Sequence, residues 1–250
     1  EGIVTFLNKV CEMELEPYIE SSYQELADYV NAYDQKMIMK RENIADRGIW
    51  TAKKRYILNV WDSEGVRYEQ AKLKIMGIEA IKTSTPAPCR TMLKDAFKLL
   101  MTGTEDEVID YIEKCRSEFK NFPPEEVGFP RSVNNLQKYK GVSDIYNKGT
   151  PINVRGALLF NHYIKKNNLE HKYSAIQNGE KIRFCYLKTP NWMHENVISY
   201  IQDLPKELDL HKHVDYDLQF EKAFLEPIKV ILNCIGWETE RKNTLESFFS

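Results

Sequence analysis

The chain lacks the features that would place it in several broad classes. No apolar run among its 250 residues approaches the roughly 18 needed to span a bilayer. Nothing resembles a signal peptide, so a cytoplasmic protein with no membrane partner is expected. The chain opens on Glu1 rather than methionine, as a processed chain or an excised piece would. Its five cysteines, Cys11, Cys89, Cys115, Cys185 and Cys234, are scattered, odd in number and without a Cys-x-x-Cys pair. That argues against a disulfide framework and reads as buried or idle thiols in a reducing compartment. Of the five histidines, only the His211-Lys212-His213 pair hints at a metal; no further ligands stand beside it, so none is expected. A phosphate-cradling Gly-rich loop, a Gly-x-Ser-x-Gly elbow and a His-Glu-x-x-His zinc helix are all missing. Internal repeats and low-complexity tracts are absent too.

Surplus charge is also lacking. A net charge of −2 argues against a generic polyanion binder, yet the charges are unevenly placed. Glu12, Glu14, Glu16, Glu20 and Glu25 crowd one segment, while Arg47, Lys53, Lys54 and Arg55 crowd another, so a nucleic-acid surface is compatible with an acidic back. The stretch that organises the rest is Thr51 to Trp61, in which three cations open a run of β-formers. Read as a strand, it puts Lys54, Tyr56, Leu58 and Val60 on one face and Lys53, Arg55, Ile57 and Asn59 on the other. Two readings stand side by side: a solvated strand entrance, or a rigid holder for a phosphodiester backbone, with charge supplying affinity and fixed spacing supplying register.

With 250 residues there is enough chain for one large or two small domains. Apolar residues at three- and four-residue steps from Ile3 to Tyr33 predict one or two amphipathic helices, broken near Pro17 and packed on the following sheet. Lys36 to Lys40 reads as a short strand, Ala45 to Gly48 as a turn, and Asp62 to Gly65 as the turn of a hairpin returning through Val66. A third strand from Lys72 to Met76 stops at Gly77. The hydroxyl-rich Lys82 to Pro86 marks a helix start. That helix carries Met92, Leu93, Ala96, Phe97 and Leu100 inward and ends at Gly103. Thr104 to Glu107 has the capping-box pattern and opens a second helix antiparallel to the first. Periodicity lapses from Gly128 to Lys148. A helix then starts at Pro151, Lys181 to Leu187 is a strand, and Tyr216 to Trp237 is helical with an interruption or bend at Pro227.

Lys53-Lys54-Arg55-Tyr56 followed by Ile57 to Asp62, then Leu73 to Glu79 and Lys82 to Pro86, closely resembles the C-terminal third of family B DNA polymerases, above all those of T-even-type bacteriophages. The resemblance runs, with gaps, over nearly the whole chain. It implies an α+β chain: the end of a palm domain (1–77, helix plus antiparallel strands), a mostly helical thumb with a small β element (78–240), and a clamp-binding tail (241–250). In that family the lysine-lysine-arginine-tyrosine strand grips the primer–template duplex. The resemblance therefore marks Lys53, Lys54, Arg55, Tyr56 and Lys82 as DNA-binding, with Asn135, Lys138, Arg155, His162 and Lys165 as further thumb contacts. Arg155-Gly156 fits the family pattern, whereas His162 departs from the arginine usual there. Glu42 falls where relatives carry an acidic residue near the catalytic metals; the other reading is a solvated glutamate.

Leu245, Phe248 and Phe249 resemble the short tails that dock polymerases on a ring-shaped sliding clamp, with Lys242 where a glutamine often starts the motif. Packing of those three side chains within the chain is the alternative. The aspartate motifs that hold two magnesium ions in family B enzymes are absent, as are the nucleotide-binding helix and the exonuclease motifs. No catalytic residue is expected here, and magnesium would belong to the complete polymerase. The expectation is a duplex-gripping portion that is inactive alone and whose partners are primer–template DNA, a sliding clamp and the remaining N-terminal part of the polymerase. A polymerase-derived DNA-binding or scaffold module without enzymatic function is the other reading.

Overall fold

The computed structural model describes residues 2–241. It is an α+β structure, as the sequence predicts, and contains two separate three-stranded antiparallel sheets. The chain divides into two compact units between Met76 and Gly77.

The first unit begins with α1 (Gly2–Val10), a π-helical turn (Cys11–Leu15) and α2 (Glu16–Tyr29) in one unbroken run. Pro17 therefore does not break the helix. Proline lacks an N–H and crowds the carbonyl four residues back, and the wider π turn that ends just before it lets the helix continue. The helix meets the first strand of the sheet along α1, as expected, but the packing is shallow: Ala27 is the only buried residue of the run, while Ile3, Phe6, Met13 and Tyr18 are exposed. Polar bonds also tie it to the rest of the unit. Arg41 donates through Nη2 to Asn8 Oδ1 at 2.6 Å and through its backbone N–H to Glu16 Oε1 at 3.1 Å. Residues 34–42 form no regular structure, which corrects the strand expected over 36–40. Met37 to Lys40 instead line a hollow with Glu16, Glu20 and Tyr23 of α2.

The sheet of this unit is a meander of β1 (Asn43–Ala52), β2 (Arg55–Ser63) and β3 (Val66–Met76). Residues 45–48 are a bulged part of β1 rather than a turn. Ala45 faces Val60 and Arg47 faces Asn59, so Asp46 is the extra residue, and its carboxylate accepts from Asn59 Nδ2 at 2.8 Å. Glu64 and Gly65 both have positive φ, 52° and 86°, the two-residue turn that matches strand twist. Asp62, 2% exposed, accepts from the Gly65 N–H at 3.1 Å and Arg67 Nε at 3.3 Å and forms an ion pair with Arg41 Nη1 at 2.7 Å. Burial works to raise its pKa, but Arg41, Arg67 and the Gly65 N–H prevail and hold it below the usual carboxylate range.

The second unit opens with a single helical turn (Glu79–Ile81) and α3 (Ala87–Thr102), followed by α4 (Glu105–Phe119). No side chain caps α3; Thr85 is buried and Pro86 holds the cap position. Thr104 and Glu107 form the predicted capping box on α4. The predicted inward residues of α3 are buried, Phe97 fully so, and on α4 Val108, Ile109, Ile112 and Phe119 are buried. Then come α5 (Pro124–Val127), β4 (Phe129–Ser132), α6 (Leu136–Tyr139), α7 (Ile152–Lys166), β5 (Lys181–Tyr186) and β6 (Val197–Tyr200). The last three elements are α8 (Tyr216–Phe220), a π turn (Glu221–Leu225) and α9 (Glu226–Asn233). Pro227 repeats the arrangement seen at Pro17, with a π turn just ahead of it.

The second sheet has the order β4-β5-β6, and α7 lies on β6. A methyl group at Gly156 would come within 2.4 Å of Ser199 Oγ and 2.8 Å of its backbone nitrogen, so only glycine permits this approach. Beneath the sheet, the Tyr200 hydroxyl donates to the Pro124 carbonyl oxygen at 2.5 Å. The fully buried Gln219 donates to the Val127 carbonyl oxygen at 2.7 Å and accepts from the Tyr186 N–H at 3.1 Å. These two side chains satisfy backbone groups that would otherwise be stranded in the core.

Candidate nucleic-acid interface

The lysine pair is not in a strand. β1 and β2 pair as far as Ala52 opposite Arg55, so Lys53 and Lys54 form the tip of the hairpin, with a register slip between Trp50 and Ala52. Lys54 has φ 61°, the left-handed conformation in which side chains other than those of Gly, Asn and Asp are uncommon. Both lysines are exposed and, among the described residues, neither enters a salt bridge or hydrogen bond. The expected alternation begins only at Arg55. Tyr56 lies between Trp50 and Met76 across the sheet, half-buried, while Ile57 lies between Ile49 and Ile75 and is fully buried. Trp50 is exposed, and its ring covers Gly48, where a methyl group would meet it at 2.6 Å.

The sequence reading overlooked the cations of β3. Lys72 sits 4.0 Å from the centre of the Tyr68 ring. Lys74 bonds the Glu42 carboxylate, which lowers the glutamate pKa and raises that of the lysine. Glu42 is thus engaged with a lysine on the third strand. Strand pairing from Leu58 and Val60 to their partners on β3, Lys74 and Lys72, was the signal that would have brought both lysines into view.

In the second unit, Lys82 is half-buried and pairs with Glu79 at 2.8 Å. Asn135, φ 59°, stands at the start of α6. Lys138, one turn on, is exposed beside the Tyr139 ring. On α7, residues 155, 162 and 166 recur at the spacing that keeps them on one face, with Lys165 at its margin. His162 is exposed and stands edge-on to Tyr163, at 5.0 Å between ring centres. Arg155 is drawn inward instead: it bonds Asn196 and lies over the Tyr146 ring, whose hydroxyl donates to Glu195 Oε1 at 2.6 Å. Arg155 thereby ties the loop before α7 to the approach to β6. The resulting surfaces carry separate, solvent-facing cations rather than converging acids. Among the described residues no group of three His, Cys, Asp or Glu side chains is placed to hold a metal. No described helix is long and apolar enough to cross a membrane. The clamp-binding candidates Leu245, Phe248 and Phe249 lie outside the described residues.

No family model matches the chain. Over nearly its full length it is nevertheless similar to the DNA polymerases of T4-like phages, in agreement with the resemblance read from its motifs. The DNA-directed DNA polymerase of Escherichia phage RB69 is 33% identical over 98% of the chain, and that of Enterobacteria phage T4 is 28% identical over 99%. The chain spans about 28% of the length of either relative.

Proposed function

We propose that this chain is the palm-end and thumb portion of a replicative phage DNA polymerase and that it grips the primer–template duplex. The single observation that carries the reading is the similarity to two phage polymerases over nearly every residue of the chain. The hairpin tip supports it, because Lys53 and Lys54 have no partner among the described residues and Lys54 holds a left-handed conformation that is disfavoured for lysine. Lys53, Lys54, Arg55, Tyr56 and Lys82 meet the duplex near the primer end, and Asn135, Lys138, His162 and Lys165 hold it further along. Such contacts neutralise phosphates without reading sequence, which is what an enzyme that moves along DNA requires. Arg155 acts by holding its loop. The polymerising carboxylates and magnesium belong to the region that the relatives have and this chain lacks, so the chain alone does not extend primers.

That region also has a place to dock. Ile3, Phe6, Met13 and Ile38 are between 64% and 82% exposed on the first unit, and each leaves on the order of 1.5–3 kcal/mol of burial free energy unrealised. An apolar surface of this kind marks an interface with another protein segment. The C-terminal tail adds docking on a sliding clamp. The test is primer extension with the purified chain, with the remaining polymerase segment, and with both mixed. The expected outcome is incorporation only in the mixture; incorporation by this chain alone overturns the division of labour.

A further inference from the structure

One notch in the second unit gathers cations and hydroxyls and is lined by no carboxylate. Its walls are Thr83, Ser84, Pro130, Arg131, Ser132 and Lys181, around a volume of about 270 Å³. Two pieces of backbone bring them together. β4 is an edge strand, with Ser132 opposite Lys181 on β5 and with Pro130, which has no N–H to offer, at that edge. Arg131 reaches from β4 to the loop ahead of α3, where its Nη1 donates to the Ser84 carbonyl oxygen at 2.7 Å and also to that of Pro130 at 2.9 Å. Those bonds use both hydrogens on Nη1. Nε and Nη2 have no acceptor among the described residues. Lys181 has no partner among them either. The protein around Arg131 removes enough water to push its pKa down, and no carboxylate among the described residues pairs with it to compensate for that loss.

We propose that this notch seats one phosphate of the duplex backbone, with Arg131 and Lys181 supplying charge and the hydroxyls of Thr83, Ser84 and Ser132 supplying neutral donors. A phosphodiester offers acceptors only, and a site of donors without a carboxylate complements it. The free side of the guanidinium presents two N–H groups in the fork that fits two non-bridging oxygens. Ser84 is held in place by the same arginine, so the loop is preorganised before the phosphate arrives. None of these five donors belongs to the set marked by the polymerase resemblance. The inference rests on the duplex-binding reading given above.

The experiment titrates the full chain with a short primer–template duplex and, separately, with inorganic phosphate. It follows the backbone amide signals of Ser84, Arg131, Ser132 and Lys181 alongside those of Lys53 and Lys54. Both sets are expected to shift with duplex. Lys181→Ala, at an exposed side chain with no partner to lose, is expected to lower the slope of log K against log salt by roughly 0.9. Arg131→Lys keeps the charge and loses the fork, and is expected to weaken binding with the slope unchanged. Movement of the Lys53 and Lys54 signals alone overturns the notch and leaves the duplex reading standing; no movement of either set removes both. A shift at the notch with inorganic phosphate but not with duplex overturns the assignment to the DNA backbone.

Discussion

Replacing Lys54 by glycine separates what this residue does for binding from what it does for folding. At φ 61° a residue with a Cβ carries strain of about 1–2 kcal/mol, which glycine avoids at the expense of about 0.5–1 kcal/mol of additional unfolded-chain entropy. The net expectation for Lys54→Gly is a hairpin more stable by about 0.5–1 kcal/mol. Lys54→Ala keeps the strain and removes the charge, so its stability should stay within about 0.5 kcal/mol of the parent. Hydrogen exchange at the amides of β1 and β2 reads this local difference. Binding should respond alike in both variants. Loss of one phosphate contact lowers the salt slope by about 0.9, which is close to an eightfold weaker complex at about 0.1 M salt. Fluorescence anisotropy of a labelled duplex over a salt series measures both quantities. A Lys54→Gly chain that binds duplex with unchanged affinity and slope refutes the assignment of this lysine to the phosphate backbone. A less protected hairpin in the same variant refutes the strain argument.

Gly156→Ala should destabilise the second unit by about 1–3 kcal/mol, because the new methyl group drives α7 off Ser199; urea denaturation checks this, and a neutral result would mean that the helix can shift cheaply. Asp62 titrates below its unfolded value, so its stabilising contribution is complete above about pH 4 and is lost as pH falls through the lower folded value. Asp62→Ala leaves Arg41 nearly buried without its anion and should cost about 3 kcal/mol at neutral pH, with acid sensitivity reduced in the variant. Burial pushes the thiols of Cys89 and Cys185 up to about 12 and that of Cys115 up to about 11. A thiol reagent at mild alkaline pH should therefore label exposed Cys234 first and those three only after denaturation; rapid labelling of Cys185 in the native protein contradicts the packing described.

Local chemistry was most legible where neighbours in sequence settle the outcome. The box from Thr104 to Glu107, the turn at Glu64-Gly65 and the buried face of α3 depend on spacings of two to four residues, and they appear as predicted. The misreadings share a different cause. Asp46 looks like turn chemistry, but the ladder to β2 absorbs it as a bulge. Pro17 looks like a stop, but a π turn accommodates it. Met37-Ile38-Met39 has the composition of a strand, yet a strand requires a neighbour to satisfy its backbone groups, and this unit supplies none there. At the site, the charge of the Lys53-Lys54 tip was plain from composition, while its position at a turn rather than in a strand was not.

The order of residues by itself determined the similarity to phage polymerases, the α+β class and the cationic run from Lys53 to Arg55, because each rests on contiguous motifs or short-range periodicity. Tertiary structure alone decided that Arg155 turns inward to Asn196 while Lys54 faces solvent. It also decided that Arg131, Ser84 and Lys181, far apart in the chain, share one notch. Both outcomes depend on which carbonyls, rings and strand edges happen to lie beside a side chain after the backbone has closed, and spacing along the chain carries no record of those distances.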